Sequence, residues 1–162
     1  MSARWTTGSV AACTGGTLRG VADIAVHGFV TDSRAVTPGV CFVALQDERD
    51  GHDFVAAAAA NGAVAALVTR VIADAPIAQI VVADVFAALA ALGRAARDEL
   101  AHVTVVGVAG SAGKTSTKDL AAAAFASGRR VHANEKSYNN EFGVPLTIMG
   151  AAPDTEVKIG RA

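Results

Sequence analysis

Val103-Thr104-Val105-Val106-Gly107-Val108-Ala109-Gly110-Ser111-Ala112-Gly113-Lys114-Thr115-Ser116 is the stretch that decides how this chain is read. The apolar, β-branched run at its start predicts a strand. Residues 118–127, rich in alanine, predict a helix. Between them lies a glycine-rich loop that ends in a lysine and two hydroxyls. Glycines let backbone N–H groups turn inward without Cβ clashes, and a helix N-terminus adds partial positive charge. Gly110, Ser111, Ala112, Gly113, Lys114, Thr115 and Ser116 are therefore candidates to wrap the phosphates of a nucleotide. The Lys114 ammonium would lie against the β- and γ-phosphates, and the Thr115 hydroxyl would face Mg²⁺. The common form of such a loop, G-x-x-x-x-G-K-[ST], needs glycine at position 108, where Val108 stands. The competing reading is a strand-to-helix turn with a solvated lysine.

The rest of the composition narrows the class. The 162 residues suffice for one domain or two small ones with a real core. Apolar residues make up 52% but aromatics only 5%, so alanine-rich helices on a sheet are expected. A net charge of −1 offers no bulk attraction to nucleic acid or to an anionic membrane. The longest charge-free stretch, residues 54–69, is too short for a bilayer span and is broken by Asn61-Gly62. Residues 1–16 lack the continuous apolar stretch of a secretory leader. Cys13 and Cys41 have neither metal nor redox spacing, and His27, His52, His102 and His132 are scattered singly. Those patterns argue for a reducing, cytoplasmic setting and against a structural zinc.

Upstream of the loop, Val85, Leu89, Leu92, Ala96 and Leu100 recur at helical spacing, with Asp84 as N-cap, which predicts a helix over residues 84–100. Strands are expected at residues 26–31, 41–45, 64–68, 77–82 and 130–133. A helix is expected over residues 53–60, capped by Asp53 and ended at Asn61-Gly62. Alternating strands and helices predict an α/β fold with a mainly parallel sheet. The reading divides the chain into domains 1–100 and 101–162. The second has room for one more helix and strand, too few to cover both faces of a nucleotide-binding sheet.

Four segments then fall into order: Asp32-Ser33-Arg34 with Pro38-Gly39, Asp50-Gly51-His52-Asp53-Phe54, the loop at 110–116, and Asn139-Asn140-Glu141-Phe142-Gly143-Val144-Pro145. Together, over residues 28–149, they resemble the Mur ligases of peptidoglycan synthesis. The Asn-Asn-x-x-Gly-x-Pro form is similar to that of the members that add D-alanyl-D-alanine. The resemblance implies a small α/β domain for the UDP part of the substrate, followed by the start of a P-loop-type, parallel α/β ATP-binding domain. It implies an ATP- and Mg²⁺-dependent carboxylate–amine ligase that joins D-Ala-D-Ala to UDP-MurNAc-tripeptide through an acyl phosphate. The full-length form would be monomeric, with small-molecule partners and neither nucleic acid nor membrane insertion.

Residue by residue, the resemblance gives Lys114 the catalytic neutralising role and Thr115 the Mg²⁺. It sets Asn139 and Asn140 between nucleotide and substrate, and Ser33, Arg34 and His52 near the UDP part. Local chemistry competes at several positions, since Asp32-Ser33 can start a turn and the asparagine amides can satisfy their own loop. The sequence departs from the family at Val40-Cys41 and at Gln46-Asp47-Glu48-Arg49. The family's strand ending Glu-Met-Gly, which carries a Mg²⁺-binding glutamate, its modified lysine and its C-terminal domain have no counterparts. The expectation is therefore an N-terminal portion of such an enzyme, inactive by itself. The alternative is a non-catalytic UDP-sugar or nucleotide-binding module.

Overall fold

The computed structural model describes residues 4–46, 49–133 and 141–161. The chain divides into two compact units, Met1–Leu92 and Gly93–Ala162, and the division falls inside a helix. The first unit holds β1 (Trp5–Thr6), α1 (Thr7–Thr14), β2 (Thr17–Arg19), β3 (Ala25–Val26), β4 (Gly28–Val30), β5 (Val40–Val43), α2 (Val55–Ala60), β6 (Ala65–Val68) and β7 (Ala78–Val81). The helix α3 (Val85–Glu99) spans the division. The second unit continues with β8 (Thr104–Val108), α4 (Lys114–Ala126), β9 (Val131–Ala133), α5 (Gly143–Met149) and β10 (Val157–Arg161).

The first unit is built on a five-stranded sheet of order β2-β7-β6-β5-β4. Strands β4 to β7 are parallel, and β2 closes the edge antiparallel to β7. Every residue of β5 and β6 is buried, which is why they read as unbroken apolar runs instead of alternating ones. Phe42, Ala44, Ala66 and Val68 pack with Val55 and Ala58 of α2. Small side chains on β6 let that helix lie close to the sheet. Emptying one such position, as in Phe42→Ala, is expected to cost roughly 3–5 kcal/mol.

The N-terminal 25 residues hold more structure than their sequence pattern suggests. Thr6 and Ser9 form a capping box for α1, and Gly15 ends it with a left-handed φ of 64°. The next residue, Gly16, approaches β7 so closely that a Cβ would sit 2.8 Å from the side chains of Ile80 and Val82. Strands β1 and β3 pair antiparallel over two residues each. Elements this short carry no readable period.

Two helix starts differ from expectation. The segment at 53–60 begins with a 3₁₀ turn, Gly51–Phe54, and only Val55–Ala60 is α-helical. Its cap is Asp50, whose Oδ1 accepts from the His52 N–H at 3.0 Å, whereas Asp53 is exposed and caps nothing. An aspartate two residues ahead of a free N–H competes for the cap, and Asp50 wins because Gly51 lets the chain turn beside Leu45. Helix α4 starts at Lys114 instead of residue 118. Thr115, Ser116 and Thr117 are poor helix formers, but the left-handed Gly113 launches the helix before them.

Helix α3 follows its pattern: Val85, Leu89, Leu92, Ala96 and Leu100 are all buried, and Asp84 Oδ1 accepts from the N–H groups of Phe86 (2.7 Å) and Ala87 (3.1 Å). In the second unit three parallel strands run in the order β8-β10-β9. The closing residues of the chain thus fill the middle of this sheet. Val106, Val108, Val157, Ile159, Val131 and Ala133 line the face that meets Ala121 and Ala122 of α4. At Gly93 a Cβ would lie 3.0 Å from the Pro145 Cα, so the second half of α3 and the start of α5 touch through their backbones. Pro145 fits there because the first turn of a helix does not need its N–H. Among the described residues no helix is long and apolar enough to cross a membrane.

Candidate functional site

The loop at 110–116 connects the end of β8 to the start of α4. Gly110 has φ 154° and Gly113 has φ 73°, conformations that favour glycine. No side chain caps the N-terminus of α4. The helix therefore presents its first N–H groups and the positive end of its dipole, which is what an anion requires. Thr115 and Ser116 are exposed and Lys114 is half-buried. The Lys114 ammonium folds back and donates to the Gly110 carbonyl. One turn further on, Lys118 is buried and pairs with Asp119 at 2.7 Å. Lys114 is thus the loop's own cation.

Asn139 and Asn140 lie outside the described residues. The residues that follow them in the motif have structural roles: Gly143 and Pro145 are buried in α5, and the Thr147 hydroxyl donates to the Gly143 carbonyl at 2.7 Å. The Thr147 carbonyl in turn accepts from Lys158, buried on β10. Glu156, just before β10, accepts from the Arg130 N–H at 3.0 Å, and this bond and the neighbouring guanidinium hold its carboxyl below the usual range.

In the first unit the sequence-predicted residues fall into two groups. Ser33 and Arg34 sit in a 3₁₀ turn (Ser33–Ala35) after β4. Asp32 caps that turn and holds the Arg34 guanidinium at 2.8 Å, which raises the guanidinium's pKa further. The Ser33 carbonyl accepts from the Asn61 amide at 3.1 Å. His52 belongs to a different cluster. Its side chain is fully buried and its Nδ1 lies 2.6 Å from Asp50 Oδ1. Its Nε2 accepts from the Thr69 backbone N–H at 2.9 Å and lies 3.2 Å from the Thr69 hydroxyl. The second Asp50 oxygen binds Arg70 at 2.8 Å. Hydrogen bonds from His52, with Arg70 beside them, hold the Asp50 carboxyl well below its ordinary range.

Beside this cluster a cavity of ≈ 240 Å³ opens, lined by Ala44, Gln46, Thr69, Ala83, Asp84, Val85 and Phe86. Its walls come from the residues just after β5, β6 and β7, at the carboxyl edge of the parallel strands. Ligands of open α/β sheets bind at that edge. Thr69 and Phe86 carry no sequence signal of their own, and Gln46 stands out only within the departure from the family pattern at residues 46–49. The signal that finds them is their position directly after buried strands, which becomes visible once the strands are known to be parallel.

Known proteins place this arrangement. No protein-family model matches the chain. The chain is 36% identical to the UDP-N-acetylmuramoyl-tripeptide–D-alanyl-D-alanine ligase of Synechocystis over 140 residues, 85% of this chain and 31% of that protein. It is 38% identical to the Escherichia coli ligase of the same name, over 89% of this chain and 31% of that protein. MurF from Acinetobacter baumannii superposes with a TM-score of 0.88 at 33% identity, covering 97% of this chain and 35% of that one. MurF from Thermotoga maritima in complex with ADP gives 0.67 at 34% identity, covering 83% of this chain and 31% of that one. An α/β fold with a glycine-rich loop between β8 and α4, matched at this level, defines the class: the chain is homologous to part of the Mur ligases. Among them it matches the UDP-N-acetylmuramoyl-tripeptide–D-alanyl-D-alanine ligase, MurF. It spans about a third of the length of the relatives it matches.

Proposed function

We propose that this chain supplies the substrate- and nucleotide-binding portion of an ATP-dependent carboxylate–amine ligase of peptidoglycan precursor synthesis, acting in the cytoplasm on UDP-MurNAc-tripeptide and D-Ala-D-Ala. The observation that carries the reading is the loop at 110–116, set at a strand-to-helix junction in a chain homologous to MurF. In this reading residues 1–100 hold the UDP part of the substrate and residues 101–162 begin the ATP-binding domain. The cavity after β5, β6 and β7 receives part of the UDP moiety, and Ser33 and Arg34, on the turn after β4, contribute to the same site.

The chemistry asked of the loop is charge neutralisation. A carboxylate attacks the γ-phosphorus of ATP to give an acyl phosphate and ADP. The D-Ala-D-Ala amine then attacks the acyl carbon, and phosphate leaves. Bringing a carboxylate to a triphosphate sets anion against anion, so Lys114 and the N–H groups at the start of α4 lower that barrier by holding the phosphates. The uncapped helix start, the left-handed Gly113 and the exposed Thr115 fit a Mg²⁺–triphosphate. Among the described residues no group of three His, Cys, Asp or Glu could hold a metal alone. Thr115 and phosphate oxygens would therefore hold Mg²⁺, which when bound neutralises charge on the phosphates.

Calorimetry of the polypeptide with Mg-ATP and with UDP-MurNAc-tripeptide tests this reading, and both are expected to bind. Binding of the UDP-sugar without Mg-ATP would favour the non-catalytic module instead. Spanning a third of its relatives' length, the polypeptide alone is expected to release no phosphate in a D-Ala-D-Ala-dependent coupled assay.

A further inference from the structure

The cluster around His52 has a property that a direct ligand contact would not need. A backbone N–H can only donate, so the 2.9 Å contact from Thr69 makes Nε2 an acceptor. The proton of a neutral His52 ring must then sit on Nδ1, where it faces Asp50 Oδ1 at 2.6 Å. One tautomer satisfies both bonds. The ring is fully buried, so no water substitutes for either partner. Asp50 and Thr69 are not neighbours in the chain. Asp50 closes the loop after β5, where it bridges to Gln46, and Thr69 follows β6. His52 therefore ties together the loop that carries Gln46 and the strand end that carries Thr69. Both residues line the ≈ 240 Å³ cavity.

We propose that His52 is a positioning residue: a neutral, Nδ1-protonated clamp that sets the Gln46 and Thr69 walls of this cavity. The inference rests on the reading of the cavity as part of the UDP site. Without the ring, the buried Thr69 N–H loses its acceptor, and the loop and the strand end are no longer held to one another.

The test uses the whole chain and UDP as the probe. Nitrogen NMR of the His52 ring should show the Nδ1-protonated tautomer, and the Thr69 amide should be protected from hydrogen exchange. His52→Gln can place an amide oxygen where Nε2 stands, so it should keep both the Thr69 protection and most of the UDP affinity. His52→Ala should lose the protection and weaken UDP binding about tenfold or more while the far-UV spectrum is retained. An Nε2-protonated ring, or a His52→Ala variant that keeps the Thr69 protection and the parent's UDP affinity, overturns the clamp. Absence of UDP binding by a parent that shows the expected tautomer and Thr69 protection overturns the site reading and leaves the clamp standing on its own data.

Discussion

The Lys114 ammonium donates to the carbonyl of Gly110, four residues back, so the glycine-rich loop closes on its own lysine. In the proposed reading, a phosphate arriving there gives Lys114 a charged partner in place of a neutral carbonyl, and charge-assisted bonds are the stronger kind.

Lys114→Ala is therefore expected to weaken Mg-ATP binding by at least about tenfold, the range of a lost hydrogen bond to a charged group. The midpoint of urea unfolding should stay within error, because the side chain is only half-buried. Titration calorimetry and an unfolding curve on the same variant check both. An unchanged ATP affinity would remove the loop from the nucleotide site.

The parts of this fold that the sequence discloses are those with a period or an unbroken apolar run. Val85, Leu89, Leu92, Ala96 and Leu100 repeat at helical spacing and are all buried, and β5 and β6 are apolar throughout because both faces are covered. What stays hidden has no period: the two-residue β1 and β3, and the handover of the cap from Asp53 to Asp50. In the site, the glycine-rich loop is legible because its chemistry is contiguous. The role of His52 is not, because its partner Thr69 lies 17 residues on and becomes a neighbour only when β6 pairs with β5.

Acid should find Asp50 first. Its carboxyl is held below the ordinary value in the folded state, mainly by the bonds from His52. Such a group contributes stability at every pH above the unfolded carboxylate value of about 4, and the contribution fades as the pH falls through the lower folded value. The urea midpoints of the parent and Asp50→Asn should therefore differ by a constant amount from neutral pH down to about pH 5 and converge below about pH 4. A gap that stays constant into the acid range would show that Asp50 acts only by its shape.

The two thiols should behave differently. Cys41 on β5 is fully buried, and burial pushes its pKa up to about 12. Its contribution is fully present below the unfolded thiol value of about 8.5 and is lost as the pH rises toward the folded value. A thiol reagent at mildly alkaline pH should label Cys41 only at the rate of unfolding, while the half-buried Cys13 reacts sooner. Equal labelling rates for both would mean that β5 opens far more readily than its burial implies.

Glycine replacements separate positions that need glycine from positions that tolerate it. A Cβ at Gly51 would lie 2.5 Å from the Leu45 carbonyl oxygen, the group that accepts the Gly51 N–H at 2.7 Å. Neither atom can retreat without breaking that bond, and the Asp50 cap beside it would shift too. Gly51→Ala is expected to destabilise by about 2 kcal/mol or more. At Gly107 in β8 a Cβ would meet nothing within 4 Å, and the backbone is an ordinary strand. There alanine restricts the unfolded chain without a clash, so Gly107→Ala should stabilise by roughly 0.5–1 kcal/mol. Thermal unfolding of the two variants should move in opposite directions. A loss of stability at Gly107 would mean that its side of β8 meets atoms of another molecule or of another part of the protein.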